Sequence, residues 1–165
     1  MLLKESFTYP NTDVEAVYSL IANPVFREEA AAETGGTDIE ITLEETDDGG
    51  HVITIVRDQQ AEMPDFIKKF IGDTVKIKQT EQWTGPDGDG NRSADVKMSV
   101  IGQPAGMLGT VNLLAEGDVS FVVEGDVTVN VPFIGRKIEP EIAKVISASI
   151  RNDVELGNKR LSDPS

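Results

Sequence analysis

Residues 2–9, "LLKESFTY", alternate: Leu3, Phe7 and Tyr9 fall on one side and Lys4, Ser6 and Thr8 on the other, the period of a half-buried strand. Helical spacing follows, with Val14, Val17, Tyr18 and Ile21 on one face and Thr12 and Glu15 at the spacing of a capping box. That helix stops near Asn23, which is placed to cap a second one with Pro24 at its first position. Gly35 or Gly36 then supplies the left-handed residue that ends it.

Strand and turn patterns take over from residue 37 to residue 131. Ile39, Ile41 and Leu43 alternate with acidic residues or Thr42, "DDGG" turns the chain at 47–50, and "HVITIVR" returns, so a hairpin is predicted. The alternation leaves open whether Val52, Thr54 and Val56 or His51, Ile53 and Ile55 face inward. At 64–71, "PDFIKKFI" spaces Phe66, Ile67 and Phe70 for a turn or two of helix. In "TVKIKQTEQW", Val75, Ile77, Gln79, Glu81 and Trp83 share one side, opposite Lys76 and Lys78. Val96, Met98 and Val100 share a face of the next strand, and two further strands follow around 106–115 and 118–131. Seven strands with short connections imply an antiparallel meander whose inner face needs an apolar cover.

The cover must come from the helices, and the largest is predicted in "VTVNVPFIGRKIEPEIAKVISASI", residues 127–150. Here alternation at Val127, Val129 and Val131 gives way to helical spacing at Ile138, Ile142, Val145 and Ile146. A helix from about 135 to 158 would run roughly 35 Å at ~1.5 Å per residue, enough to cross a curved sheet. Its inward stripe, Ile138, Ile142, Val145, Ile146, Ser149 and Ile150, holds no aromatic side chain, so a cavity is expected between helix and sheet.

Composition narrows the function. A chain of 165 residues with 39% hydrophobic and 27% charged residues suits one soluble domain spanning 1–165, with no apolar run of membrane-spanning length. The start, "MLLKESFTYP", lacks the features of a secretory signal, and a cytoplasmic location is expected. The formal charge of −14 repels phosphate backbones and anionic lipid surfaces, which argues against nucleic acid as partner. Cysteine is absent and His51 is the sole histidine, so no cofactor, metal site or catalytic triad is expected.

The order of strand, two short helices, six strands and long final helix resembles the helix-grip superfamily, an α+β class that includes START lipid-transfer domains, the birch-pollen allergen and polyketide cyclases. "FTYPNTDVEAVYSLIANPVFRE" is similar to that superfamily's opening, and "VNVPFIGRKIEPEIAKVI" to the ending of a bacterial branch of unknown function. The resemblance implies a groove for a hydrophobic or amphipathic small molecule, lipid, sterol-like or polyketide-like, beneath the long helix. It places Phe26, Trp83, Ile138, Ile142, Val145 and Ser149 on that groove; strand alternation adds Val75, Ile77, Gln79, Glu81, Val96 and Met98. A non-enzymatic binder or carrier is expected, with a cyclase or hydratase in the same cavity, or a protein-interaction module, as alternatives; no catalytic residue is assigned.

Among polar residues, Gln79 and Glu81 point inward if the register holds, where a carboxylate could anchor a ligand or exchange a proton. The plainer expectation places Glu81 near the open end of the sheet, paired with Arg92 across a hairpin or simply solvated. His51 follows a glycine turn with no partner at diagnostic spacing and is expected to be exposed. "DGDGN" at 87–91 begins like a calcium loop, but Arg92 and Met98 stand where glycine and glutamate are required, so a hairpin turn is predicted. "GGTD" and "IGQPAG" lack the glycine spacing of phosphate loops.

Overall fold

The computed structural model describes residues 1–60 and 62–163. Its elements are β1 (Leu2–Tyr9), α1 (Val14–Ile21), α2 (Pro24–Glu33), β2 (Thr37–Glu45), β3 (His51–Gln60), α3 (Asp65–Ile71), β4 (Thr74–Trp83), β5 (Arg92–Val100), β6 (Ala105–Glu116), β7 (Asp118–Val129) and α4 (Gly135–Ser162). The strands form one antiparallel sheet in the order β1-β7-β6-β5-β4-β3-β2, and α1 and α2 carry the chain from one edge strand to the other. This is the α+β helix-grip architecture.

Local chemistry explains most boundaries. Asn23 accepts from the Val25 N–H at 3.0 Å with Pro24 behind it, and Gly35 at φ 89° follows the last turn of α2. The cap of α1 differs from expectation: Asp13, not Thr12, accepts from the Ala16 N–H at 2.8 Å. An aspartate one residue later caps with a stronger acceptor and shifts the capped donor from the Glu15 to the Ala16 N–H, leaving the Glu15 side chain for Arg92. Strand β7 stops at Val129 and α4 runs on to Ser162, four residues beyond the predicted end.

The strand-proline-glycine-glutamate ending has a packing reason. A Cβ on Gly135 would lie 2.1 Å from the Val129 carbonyl oxygen, so only glycine lets α4 start this close to β7. One turn later, Glu139 accepts the Val129 N–H at 3.1 Å, satisfying the last donor of the strand. The turn between them holds Phe133 at φ 70°, fully exposed.

Strand β3 settles its open register by turning His51, Ile53, Ile55 and Arg57 inward, all buried. The core gathers Leu3, Val17, Leu113, Val119, Val123 and Val127 with Ile138, Ile142 and Ile146 of α4. Each such side chain stabilises by about 1.5–3 kcal/mol through burial. Helix α4 packs mainly on β7 and β1 and touches α1 and α2, so it leans toward one side of the sheet. Space remains over β4, β5 and β6.

Candidate ligand cavity

That space consists of two chambers, each with a volume of ≈ 80 Å³. A single water needs about 10–15 Å³ on this measure, so each chamber exceeds a solvent-sized defect several-fold. The inner chamber lies among Phe26, Trp83, Val96, Val111, Ser149 and Asp153. The outer one lies among Met63, Val75, Ile77, Val100, Ile142 and Val145. Met98, Met107 and Ile146 line both and form the waist between them. Met98 and Met107 sit directly opposite each other on β5 and β6, and Met107 folds over Gly125, where a Cβ would come within 2.8 Å of its sulfur. Methionine is the side chain best suited to a partition that changes shape.

Buried charge gathers in the inner chamber, while the outer one has only the exposed Glu62 at its edge. Arg27 of α2 and Glu81 of β4 are both buried and face each other as a fork, Nη1 to Oε1 at 2.9 Å and Nη2 to Oε2 at 2.5 Å. Glu81 also accepts from Trp83 Nε1 at 2.9 Å and from Gln79 Nε2. Burial alone would push this carboxyl up, but the Arg27 charge and the donated hydrogen bonds outweigh it and hold Glu81 at about 2. Reciprocally, Glu81 overcomes the desolvation of Arg27 and fixes its positive charge.

Asp153 of α4 behaves in the opposite way. It lines the same chamber without a hydrogen-bond partner among the described residues, and burial pushes its carboxyl up to about 6 against the pull of Arg27 and Arg57. Arg57 is buried nearby under α2, with its Nε unpartnered and Nη1 at 3.5 Å from Gln79 Oε1. Tyr9 completes this end. Its ring lies against Gly157, where a Cβ would meet Cε1 at 3.1 Å, so glycine in mid-helix allows the tyrosine to reach the cavity.

Two expectations about polar residues are overturned. His51 is 2% exposed, not on the surface: its Nδ1 and the Tyr18 hydroxyl share a hydrogen bond at 2.5 Å, and its ring stacks on Trp83. Desolvation lowers its pKa, and Nε2 finds no partner among the described residues. Its inward orientation follows from strand parity, with Ile53 and Ile55. Glu81 does not pair with Arg92. The ladder sets Glu81 opposite Val96, four residues along β5 from Arg92, about 13 Å at ~3.3 Å per residue. Arg92 instead binds Glu15, donates to the Gly49 and Thr84 carbonyls and covers the Tyr18 ring at 3.6 Å. It therefore ties two hairpin turns to α1 at the end of the sheet.

Residues 4–161 match the family described as "Protein of unknown function (DUF2505)". The chain belongs to this family. No curated protein sequence matches it. Among solved structures, this DUF2505 chain is similar to TTHA0849 from Thermus thermophilus, at 14% identity and TM-score 0.66 over 100% of this chain and 99% of that one. It is also similar to the Zhui aromatase/cyclase from a Streptomyces species, at 12% identity and TM-score 0.57 over 98% and 95% of the two chains. Ara h 8.0201 matches at 12% identity and TM-score 0.54 over 99% of each. At these identities the likeness establishes the shared fold and carries no residue role across. Among the described residues, no helix is long and apolar enough to cross a membrane.

The cavity brings together Phe26, Gln79, Glu81, Trp83, Val96, Met98 and Ser149 around the inner chamber and Val75, Ile77, Ile142 and Val145 around the outer. Val145 is 39% exposed and stands at the rim, because α4 leans toward β7 and lifts that flank of the helix away from the sheet. Ile138 is buried in the core and lines neither chamber. Sequence reasoning missed Arg27, Asp153 and Tyr9 as cavity residues. The signal for Asp153 was present: the inward stripe of α4 advances from Ser149 by one helical turn to residue 153. Arg27, Ala30 and Ala31 likewise share the buried face of α2.

Proposed function

We propose that the protein binds a hydrophobic or amphipathic small molecule in the two-chamber cavity and acts as its carrier or receptor. The supporting observation is the pair of adjoining chambers between α4 and the sheet, apolar along most of their length and with their buried charges at the inner end. A preformed apolar pocket with few oriented polar groups is the usual form of a small-molecule site. Glu81 is engaged by four hydrogen bonds and held ionised, so it serves as framework and not as an acid or base. A cyclase or hydratase would draw on Asp153, a buried cavity carboxyl without a hydrogen-bond partner among the described residues. The groups beside it, however, are the Ser149 hydroxyl and the Tyr9 hydroxyl, whose pKa burial pushes further up, and such a set supports binding better than proton transfer. The sheet's outer surface, where the exposed Leu108 stands among Lys78, Thr80, Gln82, Asp95 and Lys97, is mostly polar and suits a protein-interaction module less well.

Native mass spectrometry of protein purified under mild conditions, followed by organic extraction, tests the proposal. A copurifying apolar compound, released by denaturation, is the expected result. Titration with the neutral fluorophore N-phenyl-1-naphthylamine supplies a second readout, and the absence of both an extractable ligand and saturable probe binding would overturn it.

A further inference from the structure

We propose that the inner chamber recognises a neutral hydroxyl, an alcohol or phenol at one end of an otherwise apolar ligand, through Asp153 and Tyr9. This rests on the cavity being the ligand site. Three groups at this end are unused by the protein: the Asp153 carboxyl, the Tyr9 hydroxyl and the Ser149 hydroxyl have no hydrogen-bond partner among the described residues, and all three line the chamber. Ser149 and Asp153 lie one helical turn apart on the same face of α4. Tyr9 approaches that face at Gly157, one further turn on, where a Cβ would sit 3.4 Å from its hydroxyl oxygen. Together they present an acceptor beside two groups that both donate and accept.

Charge balance selects among possible head groups. Arg27 and Arg57 supply two positive charges, and Glu81 and Asp153 two negative ones. An ammonium head would leave one positive charge in excess, and a carboxylate one negative charge unless Asp153 first took up a proton. In a desolvated site such an excess costs more than the contacts return. A hydroxyl adds no charge, donates to Asp153 and accepts from Tyr9. The carboxylate of Asp153 thus acquires the hydrogen bond it lacks, a charge-assisted one.

The tail then points along α4 toward Ile142 in the outer chamber, eleven residues and about 16 Å at ~1.5 Å per residue, the length of an extended chain of roughly a dozen carbons, and reaches it by displacing the shared Met98 and Met107 side chains.

The test displaces N-phenyl-1-naphthylamine from the whole protein at neutral pH with dodecane, 1-dodecanol, dodecanoate and dodecylamine. Dodecanol should act at about tenfold lower concentration than dodecane or either charged compound, the fold-change expected of one hydrogen bond to a charged group. In Asp153→Leu, of similar volume, dodecane should bind as before and the dodecanol preference should shrink to about one, while Tyr9→Phe should reduce it about threefold. Circular dichroism checks that each variant is folded. Dodecane binding with no hydroxyl preference, a preference that survives Asp153→Leu, or tightest binding of a charged compound would overturn the inference while leaving the cavity as ligand site. Failure of every dodecyl compound and of the probe to bind overturns both.

Discussion

Where the inner chamber ends in Arg27, Glu81, Gln79 and Asp153, the outer chamber is walled by Val75, Ile77, Val100 and Ile142 and is almost wholly apolar. The same two elements build both. On β4 the inward residues run Val75, Ile77, Gln79, Glu81, Trp83, and on α4 they run Ile142, Ile146, Ser149, Asp153. Each element turns polar along its length, and because β4 and α4 run in the same direction across the cavity, their polar halves come together. A polarity gradient across the cavity therefore arises from two gradients in sequence, and the chambers differ in what holds them open: hydrogen-bonded charge at one end, methionines and branched side chains at the other.

Breaking the charged framework should have the largest effect. Arg27→Met leaves Glu81 buried without its counter-ion and should cost about 3–5 kcal/mol in urea unfolding. Arg27→Met with Glu81→Gln should recover much of that, because neither charge then remains unpaired. Closing the waist comes next. Ile146→Trp should fill both chambers and weaken probe binding at least tenfold, with a strain cost of about 1–3 kcal/mol.

The carboxyls of the inner chamber sharpen the contrast through pH. Burial raises Asp153 to about 6, so between about pH 4 and pH 6 the native state holds a proton that the unfolded chain has released. Its contribution is most favourable below about pH 4 and is lost as pH rises through 6, on the order of 3 kcal/mol. Glu81, held at about 2, contributes stability that is present above its unfolded value and lost as pH falls toward 2. The difference in stability between wild type and Asp153→Asn, measured from pH 4 to pH 7.5, isolates the Asp153 effect: Asp153→Asn should gain relative to wild type as pH rises. A difference independent of pH would refute the raised carboxyl. The smallest effect belongs to the outer rim, where Val145→Ala should change stability by under about 1 kcal/mol, against about 2–4 kcal/mol for the buried Ile142→Ala beside it, both read from thermal unfolding.

Sheet, helices and the inward face of β4 were legible because each rests on a period of two or 3.6 that burial enforces over many residues. The placement of Gln79, Glu81 and Trp83 followed directly from that parity. Partners across the molecule were not legible. Whether Glu81 meets Arg27 or Arg92 depends on how α2 lies over the sheet, and whether His51 is covered depends on Tyr18 of α1. Val145 shows the same limit within one helix, since the tilt of α4 decides which flank of its stripe touches the sheet.

Trp83 is the chain's single tryptophan. It borders the inner chamber and not the outer one, and its indole N–H is held by Glu81. Intrinsic emission from this protein consequently reports one compartment alone: a guest confined to the greasy end is spectrally silent, whereas one that threads past the methionines shifts or quenches the signal. Stopped-flow traces could time the two stages of entry without attaching a dye.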